Sequence, residues 1–382
     1  MYSEYLGVMM SGRQRITILF GAGASIDLAK QIMEEYQIDG GVGTKDLTFS
    51  ILNEDSIFSK KDSRVKLLVK YCFQYLKDRY NEDPTFEMIY EMILILKNTV
   101  SDMKPILCYD ASDIDYDYDG VLCLQTLYHI LYVIHDKLHE YRLKTNKQWV
   151  VEFINTISSE YGFKDIFNLN YDDLLDDLFK PYDDGFTVKG SIEVGNVGSY
   201  YGFDVKGSVI PDSCNLLNHL HGSIHFFNGA PSGESYDSPM FKYEIPWSDI
   251  FLQVVTNQNQ TETIFSPIIT GLDKMNSMVH VPYNYYHSNL LQSMRNNCRL
   301  IIIGYGFGDY YINAQILYFK RNEGNRILYI SPDMKNKFID TIAKDDNLSC
   351  SEDERFWWFK GTFKEAAQYE SNTGLLSKVI NS

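Results

Sequence analysis

The stretch that most constrains the fold of this chain is residues 16–25, ITILFGAGAS. Its first five residues are apolar or β-branched, which predicts a short strand buried on both faces. Two glycines then break the strand, and we expect a helix to start within the next few residues, with Ser25 or Asp27 as its cap. A strand, a glycine turn and a helix N-terminus present N–H groups to phosphate, so the stretch predicts a dinucleotide pyrophosphate site. A tight turn without a ligand is the alternative, because Ile26 replaces the third glycine of the usual G-x-G-x-x-G pattern.

The remainder of the chain alternates predicted strands and helices around one long helical block. Apolar residues recur at spacings of three and four through residues 45–160, which predicts a helical insertion. The clearest helices in it are residues 63–80, 84–97 and 121–143, and the clearest strands outside it are residues 165–169, 215–220, 263–269, 299–303 and 326–330. We therefore predict an α/β fold with a Rossmann-like, doubly wound parallel sheet. The expected division is a sheet domain of residues 12–44 and 161–382 and a helical insertion domain of residues 45–160.

A polar cluster follows each of five predicted strands. The clusters are GAGAS, NYDD at residues 170–173, HG at residues 221–222, GYGFGD at residues 304–309 and SPD at residues 331–333. Parallel strands end at the same edge of a sheet, so we expect the five clusters to line one rim, where such folds bind ligands. A helix through Lys180 is predicted after NYDD, and Asp172 could cap it or bind a ribose hydroxyl.

Asn170 and His221 are the strongest candidates for chemistry. A carboxamide at Asn170 could orient a water molecule or bind a ribose hydroxyl, although Asn170 and Asp172 could also be turn and cap residues only. Histidine titrates near neutral pH, which makes His221 the natural general base. The glycine that follows it allows a ligand to approach closely.

A zinc site is a competing interpretation of the same segment. His219, His221 and His225 share parity on a strand, and three imidazoles can hold zinc with an open fourth position. However, Gly222 is expected to interrupt the strand, and no acid near the histidines is evident in the sequence. We prefer His219 as a hydrogen-bonded core residue. The six cysteines form no C-x-x-C pair, which predicts reduced, buried thiols.

The charge and the absent motifs exclude several classes of function. The formal net charge is −16, which argues against a protein dedicated to nucleic acid or to anionic membranes. The first fifteen residues lack the apolar core of a signal peptide, and the longest apolar runs are too short to span a bilayer. Neither a G-x-x-x-x-G-K-[ST] phosphate loop nor a G-x-S-x-G elbow is present. We expect a soluble, cytoplasmic protein with no direct contact to nucleic acid or membrane.

Taken in order, GAGAS, NYD, HG and GYGFGD resemble the motifs of the sirtuin-like family, in particular its bacterial branch that acts in antiphage defence. The resemblance covers about residues 16–367. It implies that Asn170 and Asp172 support the site and that His221 is the active-site histidine. It also implies a set of NAD-binding residues, which are Gly21, Ala22, Gly23, Ala24 and Ser25 at the pyrophosphate and Gly304, Tyr305, Gly306 and Ser331 near the adenosine ribose. Ser331 departs from the family, which has asparagine there.

Two further departures indicate the subclass that the chain resembles. Deacylase sirtuins carry two C-x-x-C zinc pairs and a G-I-P-D-F-R segment, whereas this chain has no such pairs and reads GGVGTKDL at residues 40–47. The defence relatives also lack these features and hydrolyse NAD to ADP-ribose and nicotinamide. The resemblance therefore implies an NAD hydrolase without zinc, which forms homo-oligomers and works with a HerA-type hexameric ATPase. The alternative is a non-catalytic sensor or assembly subunit that binds NAD or ADP-ribose in the same pocket.

Overall fold

The computed structural model describes most of the chain, with several gaps. The described residues are 15–36, 42–107, 116–144, 148–191, 199–204, 210–211, 213–228, 240–243, 278–334, 340–344 and 346–380. The strand predicted at residues 263–269 therefore lies outside the described residues.

The described elements follow the predicted alternation. The strands are β1 (Ile16–Phe20), β2 (Lys164–Asn168), β3 (Tyr182–Asp183), β4 (Phe186–Ser191), β5 (Ser199–Phe203), β6 (Asn215–His219), β7 (Phe226–Asn228), β8 (Met240–Tyr243), β9 (Arg299–Ile303), β10 (Arg326–Ser331), β11 (Ile342–Ala343), β12 (Leu348–Cys350) and β13 (Phe356–Lys360). The helices are α1 (Ala22–Tyr36), α2 (Thr44–Asn53), α3 (Ile57–Lys61), α4 (Arg64–Tyr80), α5 (Phe86–Leu107), α6 (Tyr116–Lys144), α7 (Gln148–Glu160), α8 (Tyr283–Asn296), α9 (Tyr310–Arg321), α10 (Phe363–Thr373) and α11 (Leu375–Ile380). The predicted long helices and the strands at residues 16–20 and 299–303 are confirmed.

The helix predicted through Lys180 is wrong. After β2 the chain forms loops and a single 3₁₀ turn, Asp176–Phe179. Asp173 and Asp176 in this segment are buried, and their carboxylates bond to His225, in the loop after β6, and to His219, at the end of β6. Side chains that must reach those partners hold the backbone in turns instead of a regular α-helix.

The main sheet has nine strands in the order β11-β12-β13-β10-β9-β1-β2-β6-β3. All neighbours from β13 to β3 pair in parallel, and the two pairings at one edge, β11 with β12 and β12 with β13, are antiparallel. The chain runs from β1 outward through β2 and β6, and then returns to the other side of β1 with β9 and β10. The strand order therefore reverses between β1 and β9, and crevices at such reversals are where open α/β sheets bind ligands. A second, antiparallel sheet has the order β4-β5-β8-β7.

Alternating side chains of the central strands pack into two hydrophobic cores, one on each face of the sheet. On β9, Leu300 and Ile302 pack with apolar residues of α8 and α9. Ile301 and Ile303 point the other way and share a core with α1, α10 and the helical block. Helices thus cover both faces, as expected when parallel strands are buried on both sides. The predicted doubly wound α/β fold is confirmed.

The amino ends of the central strands are held by a buried polar network. The guanidinium of Arg15 donates from Nε to Oδ1 of Asp165 at 2.6 Å, and Asp165 is fully buried. Asn297, just before β9, donates to Oδ2 of Asp165 and to Oγ1 of Thr17, both at 2.8 Å. The network ties β1, β2 and the entry to β9 together at the edge opposite the predicted ligand rim.

The helical block, α2 to α7, packs against the same face of the sheet as α1. Its buried residues belong to one hydrophobic core with those of β1, β9 and β10, and the division into two domains stays a prediction. One polar contact joins the block to the NYDD loop, where Tyr171 donates to Oε1 of Glu87 on α5 at 2.5 Å. In the described part of the chain, no helix combines the length and the apolar character that crossing a membrane requires.

Candidate functional site

The five polar clusters lie at one rim, as the sequence predicts. GAGAS, NYDD, HG, GYGFGD and SPD follow β1, β2, β6, β9 and β10, which are consecutive parallel neighbours in the sheet. The first and fourth clusters flank the point where the strand order reverses. The rim therefore has the position of a ligand site in a doubly wound sheet.

The GAGAS turn packs directly against the GYGFGD turn. The N–H groups of Gly21 and Gly23 donate to the carbonyl oxygens of Ile303 at 2.9 Å and Gly304 at 2.8 Å. A Cβ atom added to Gly23 would lie 2.8 Å from Cα of Gly304, and one added to Gly21 would lie 2.6 Å from Cα of Tyr305. These two glycines are therefore required for backbone packing, whether or not a ligand binds.

The predicted cap of the first helix is wrong, because α1 already begins at Ala22. Ser25 lies inside the first turn and is buried, and Asp27 accepts a hydrogen bond from the backbone of Phe363 at the start of α10. The early start follows from the bonds to β9, which fix the backbone before Ser25 is reached. Ala22 is exposed at the helix N-terminus, where the helix dipole favours an anion.

The carboxamide of Asn170 is held in one orientation. Its Nδ2 atom donates to the carbonyl of Gly21 at 3.0 Å and to Oγ of Ser25 at 2.8 Å, while its backbone N–H donates to Oδ1 of Asn168 at 2.9 Å. Both amide hydrogens are thus used within the protein. The carboxamide can offer only Oδ1 to a ligand, as an acceptor for a water or a hydroxyl group.

Asp172 bonds to Ser25, which in turn accepts the hydrogen bond from Asn170. It is 3% exposed, its Oδ1 accepts from the backbone N–H of Leu174 at 3.2 Å, and Ser25 also bonds to it. Burial raises the pKa of Asp172 from 3.8 to about 6, although the bonds from Ser25 and Leu174 act in the opposite direction. Asp172 therefore contacts Asn170 through Ser25, and it caps no α-helix.

The raised pKa gives Asp172 a measurable effect on stability. The native state binds more protons than the unfolded state between about pH 4 and pH 6, so this group lowers the free energy of unfolding as pH rises through that window, by about 3 kcal/mol in all. Asp172→Asn should remove this dependence and keep an oxygen for Ser25 and Leu174. In urea unfolding, we expect the variant to gain stability relative to wild type on going from about pH 4.5 to about pH 7.5. The exposed Asp78→Asn variant controls for the lost charge, and equal differences at both pH values would contradict the prediction.

His221 pairs with an aspartate from the other side of the rim. Its Nε2 lies 3.2 Å from Oδ2 of Asp309, and the two side chains are 16% and 8% exposed. Oδ1 of Asp309 accepts from the backbone N–H groups of Tyr311 at 2.9 Å and Ile312 at 3.4 Å, so the same carboxylate caps α9. The sequence interpretation gave Asp309 no role. Its position between a glycine loop and an apolar helix is an N-cap signal that could have drawn attention to it.

The GYGFGD loop around Asp309 is held tightly. Tyr305 is buried, its hydroxyl lies 2.8 Å from Oδ1 of Asn313, and it accepts from the N–H of Asp309 at 3.1 Å. Phe307 is buried with φ at +54°, a left-handed conformation that costs a non-glycine residue about 1–3 kcal/mol. Its ring packs 4.9 Å from that of Tyr329. Such strained residues cluster at functional sites.

The remaining predicted contacts follow β9 and β10, on the side of the rim where we predict the adenosine. Gly306 is exposed, and a Cβ added there would meet no atom within 4 Å. Ser331 ends β10, and its Oγ donates to the carbonyl of Asp333 at 2.9 Å. Tyr305 presents little surface to a ligand because it is 6% exposed. The ligand-binding roles of these residues stay predictions.

Each of the three histidines in the zinc interpretation bonds to a different carboxylate. His219 bonds to Asp176 at 3.0 Å and His225 to Asp173 at 2.6 Å, both in buried positions. Burial lowers the pKa of His219, but the Asp176 carboxylate outweighs it and the pKa lies above its usual value. The acids that the sequence did not make evident are thus present, and the prediction of His219 as a hydrogen-bonded core residue is confirmed. Among the described residues, no group of three histidines, cysteines or acids could hold a metal ion.

Comparisons with known proteins find a family model and solved structures that resemble this chain. Residues 164–351 match the family model described as SIR2-like domain, a span that contains every cluster except GAGAS. No curated protein matches the chain. Solved structures that resemble it include one titled "The Structural basis of Sirtuin Substrate Affinity", with 10% identity, 98% of this chain and 99% of that chain covered and a TM-score of 0.42. Another, "Sir2-p53 peptide-NAD+", has 10% identity, 98% coverage of each chain and a TM-score of 0.41. The match to a SIR2-like domain agrees with the family resemblance that the motifs show. The functional roles of the individual residues stay predictions.

Proposed function

We propose that this protein is an NAD glycohydrolase, which converts NAD and water into nicotinamide and ADP-ribose. The observation that carries the proposal is the pair of reactive groups on neighbouring strand ends. The imidazole of His221 follows β6, and the carboxamide of Asn170, with only its oxygen free to accept, follows β2 next to the GAGAS turn. A general base and a water-orienting acceptor at the same rim as the strand reversal can support hydrolysis of a bound dinucleotide.

NAD would lie across the rim, with its pyrophosphate at the N-terminus of α1. The exposed Ala22 and the helix dipole favour a pyrophosphate there. The binding residues in this proposal are Gly21, Ala22, Gly23, Ala24 and Ser25 at the pyrophosphate, and Gly304, Tyr305, Gly306 and Ser331 on the adenosine side. Gly21, Gly23 and Ser25 would act mainly by shaping the turn, because their described contacts are within the protein.

The reaction breaks the bond between C1′ of the ribose and the nicotinamide nitrogen. The leaving nicotinamide takes the bonding electrons and becomes neutral, and positive charge develops on the ribose as in other glycosidic cleavages. A water molecule held by Oδ1 of Asn170 forms the new bond to C1′, and His221 accepts the proton that this water or a ribose hydroxyl releases. Much of the rate enhancement would come from orientation of the reactants.

The biological setting in this proposal follows the resemblance in the motifs. Hydrolysis is preferred over protein deacylation because the chain has no C-x-x-C pairs. Depletion of NAD would make the protein the toxic effector of an antiphage system in the bacterial cytoplasm. Its partner would be a HerA-type hexameric ATPase, and the protein itself would form homo-oligomers. The helical block of residues 45–160 would be the insertion that distinguishes it from smaller relatives.

A binding-only protein is the second candidate, and the inward orientation of the polar groups favours it. Asp172 is 3% exposed and both amide hydrogens of Asn170 are used internally. Such a site could bind NAD or ADP-ribose without promoting cleavage, as a sensor or an assembly subunit.

Incubation of the full chain with NAD, with and without a HerA-type ATPase as the proposed partner, separates the two candidates. Glycohydrolase activity predicts equimolar nicotinamide and ADP-ribose by chromatography. Binding of ADP-ribose by calorimetry with no nicotinamide under either condition would support the sensor. Absence of both binding and turnover would contradict both proposals.

A further inference from the structure

We propose that Asp309 is a positioning residue that fixes the tautomer of His221 and so assigns the role of base to Nδ1. The inference rests on the proposed function, which gives His221 its chemical task. Its geometric basis is independent of that task. One carboxylate oxygen of Asp309 holds the imidazole, and the other holds the first turn of α9.

The two carboxylate oxygens of Asp309 have different hydrogen-bond partners. Oδ1 accepts from the backbone N–H groups of Tyr311 and Ile312, as an N-cap does. Oδ2 lies 3.2 Å from Nε2 of His221. Since a carboxylate only accepts hydrogen bonds, the neutral imidazole must carry its proton on Nε2. The lone pair then lies on Nδ1, which is the nitrogen that can take a proton from water or a ribose hydroxyl.

The loop makes Asp309 a rigid support. Its backbone N–H donates to the hydroxyl of Tyr305 at 3.1 Å, and Asn313 on α9 donates to the carbonyl of Phe307 at 2.8 Å. Phe307 is kept at a positive φ of +54° within this frame. A costly backbone conformation persists only where the surroundings hold it, and this one lies two residues before Asp309. The support is 88 residues away from His221 in sequence.

The carboxylate has a second effect during the reaction. When Nδ1 of His221 takes a proton, the imidazole becomes a cation with Asp309 at hydrogen-bond distance. An opposite charge at this distance stabilises the cation, and in a partly buried site the effect is larger than in water. Asp309 thereby acts through His221 and needs no contact with the substrate.

Asp309→Asn tests the inference sharply. Oδ1 of the asparagine would stay at the helix cap, where it has two donors, and its NH₂ group would turn to His221. A donor at that position pairs with a lone pair on Nε2, so the proton moves to Nδ1 and the base is lost. We expect kcat to fall about 10²–10⁴-fold with KM changed less than about threefold, by analogy with the serine-protease variant in which the wrong tautomer is stabilised. Thermal stability should be unchanged.

Two further measurements keep the test decisive. NMR of ¹⁵N-histidine-labelled full chain, with His221→Asn used for assignment, should show the Nε2–H form in wild type and the Nδ1–H form in Asp309→Asn. This readout needs no turnover, so it separates failure of the inference from failure of the proposed function. Thr362→Ala, which removes the cap of α10, is the matched control and should lower Tm but leave the His221 tautomer unchanged. An Nδ1–H tautomer in wild type, or an Asp309→Asn enzyme with wild-type kcat, would overturn the inference.

Discussion

His221→Ala is expected to lower kcat for nicotinamide release from NAD by about 10²–10⁴-fold, the range that a positioned general base contributes. The imidazole is partly exposed at the rim, with 16% of its side-chain surface accessible, so its removal should leave the fold intact. ADP-ribose should still bind, because the proposed contacts to the pyrophosphate lie on α1 and not on the segment after β6. Steady-state kinetics by chromatography, together with calorimetry for ADP-ribose, measure the two effects separately.

Two controls sharpen this prediction. His280→Ala removes an exposed histidine and should leave kcat unchanged. His225→Ala removes a buried partner of Asp173 and should lower thermal stability, since it leaves a buried carboxylate without this bond. If His221→Ala kept full activity, His221 would not be the base and the proposed mechanism would fail.

Asn170→Ala should also lower kcat, and it should lower the stability of the protein as well. Its amide hydrogens bond to Gly21 and Ser25, so the substitution removes the oriented oxygen and loosens the turn at the same time. We therefore expect both weaker ADP-ribose binding and a lower Tm, in contrast to His221→Ala.

The framework of the site was predictable because it depends on local patterns. Short runs of mostly apolar or β-branched residues that are buried on both faces predict inner strands, and β1 and β9 have the predicted bounds. The placement of five polar clusters at one rim then follows from parallel pairing alone. Asn170 and His221 are predicted as site residues because they follow such strands, and their position at the rim agrees with that pattern.

The partners of these residues were not predictable, because they are distant in sequence. His221 and Asp309 are 88 residues apart, His225 and Asp173 are 52 apart, and His219 and Asp176 are 43 apart. Such contacts exist only once the sheet has formed, and no periodicity reports them. The same contacts explain the missing helix before Lys180. The bonds of Asp173 and Asp176 to their histidines outweigh the helix propensity of this segment.

The role of the glycines shows a similar limit. Gly21 and Gly23 read in sequence as a phosphate turn, whereas the structure accounts for both by the close approach of residues 304–305. The two explanations are compatible, because a turn packed against its neighbour can still present the N-terminus of α1 to an anion. Only a glycine that packs against nothing can separate ligand contact from backbone packing.

Gly304→Ala is therefore expected to have the largest effect on stability, a loss of about 2–5 kcal/mol of the free energy of unfolding. The left-handed conformation costs a non-glycine residue about 1–2 kcal/mol, and φ of Gly304 is +65°. The added Cβ would also lie 2.3 Å from the backbone nitrogen of Ala24 and 2.6 Å from the carbonyl carbon of Gly23. Backbone atoms cannot rotate away, so overpacking adds about 1–3 kcal/mol more and separates α1 from β9. Urea unfolding at neutral pH measures the loss.

Gly306→Ala is the matched control two residues further along the same loop. It is exposed, its φ is not positive, and an added Cβ meets no atom within 4 Å, so the free energy of unfolding should change by less than about 0.5 kcal/mol. If NAD passes over this glycine as proposed, ADP-ribose should nevertheless bind more weakly to Gly306→Ala in calorimetry. A Gly304→Ala protein as stable as the Gly306→Ala protein would contradict the packing of the two turns. Unchanged ADP-ribose affinity in Gly306→Ala would instead place the ligand away from the loop, because a methyl group there obstructs nothing else.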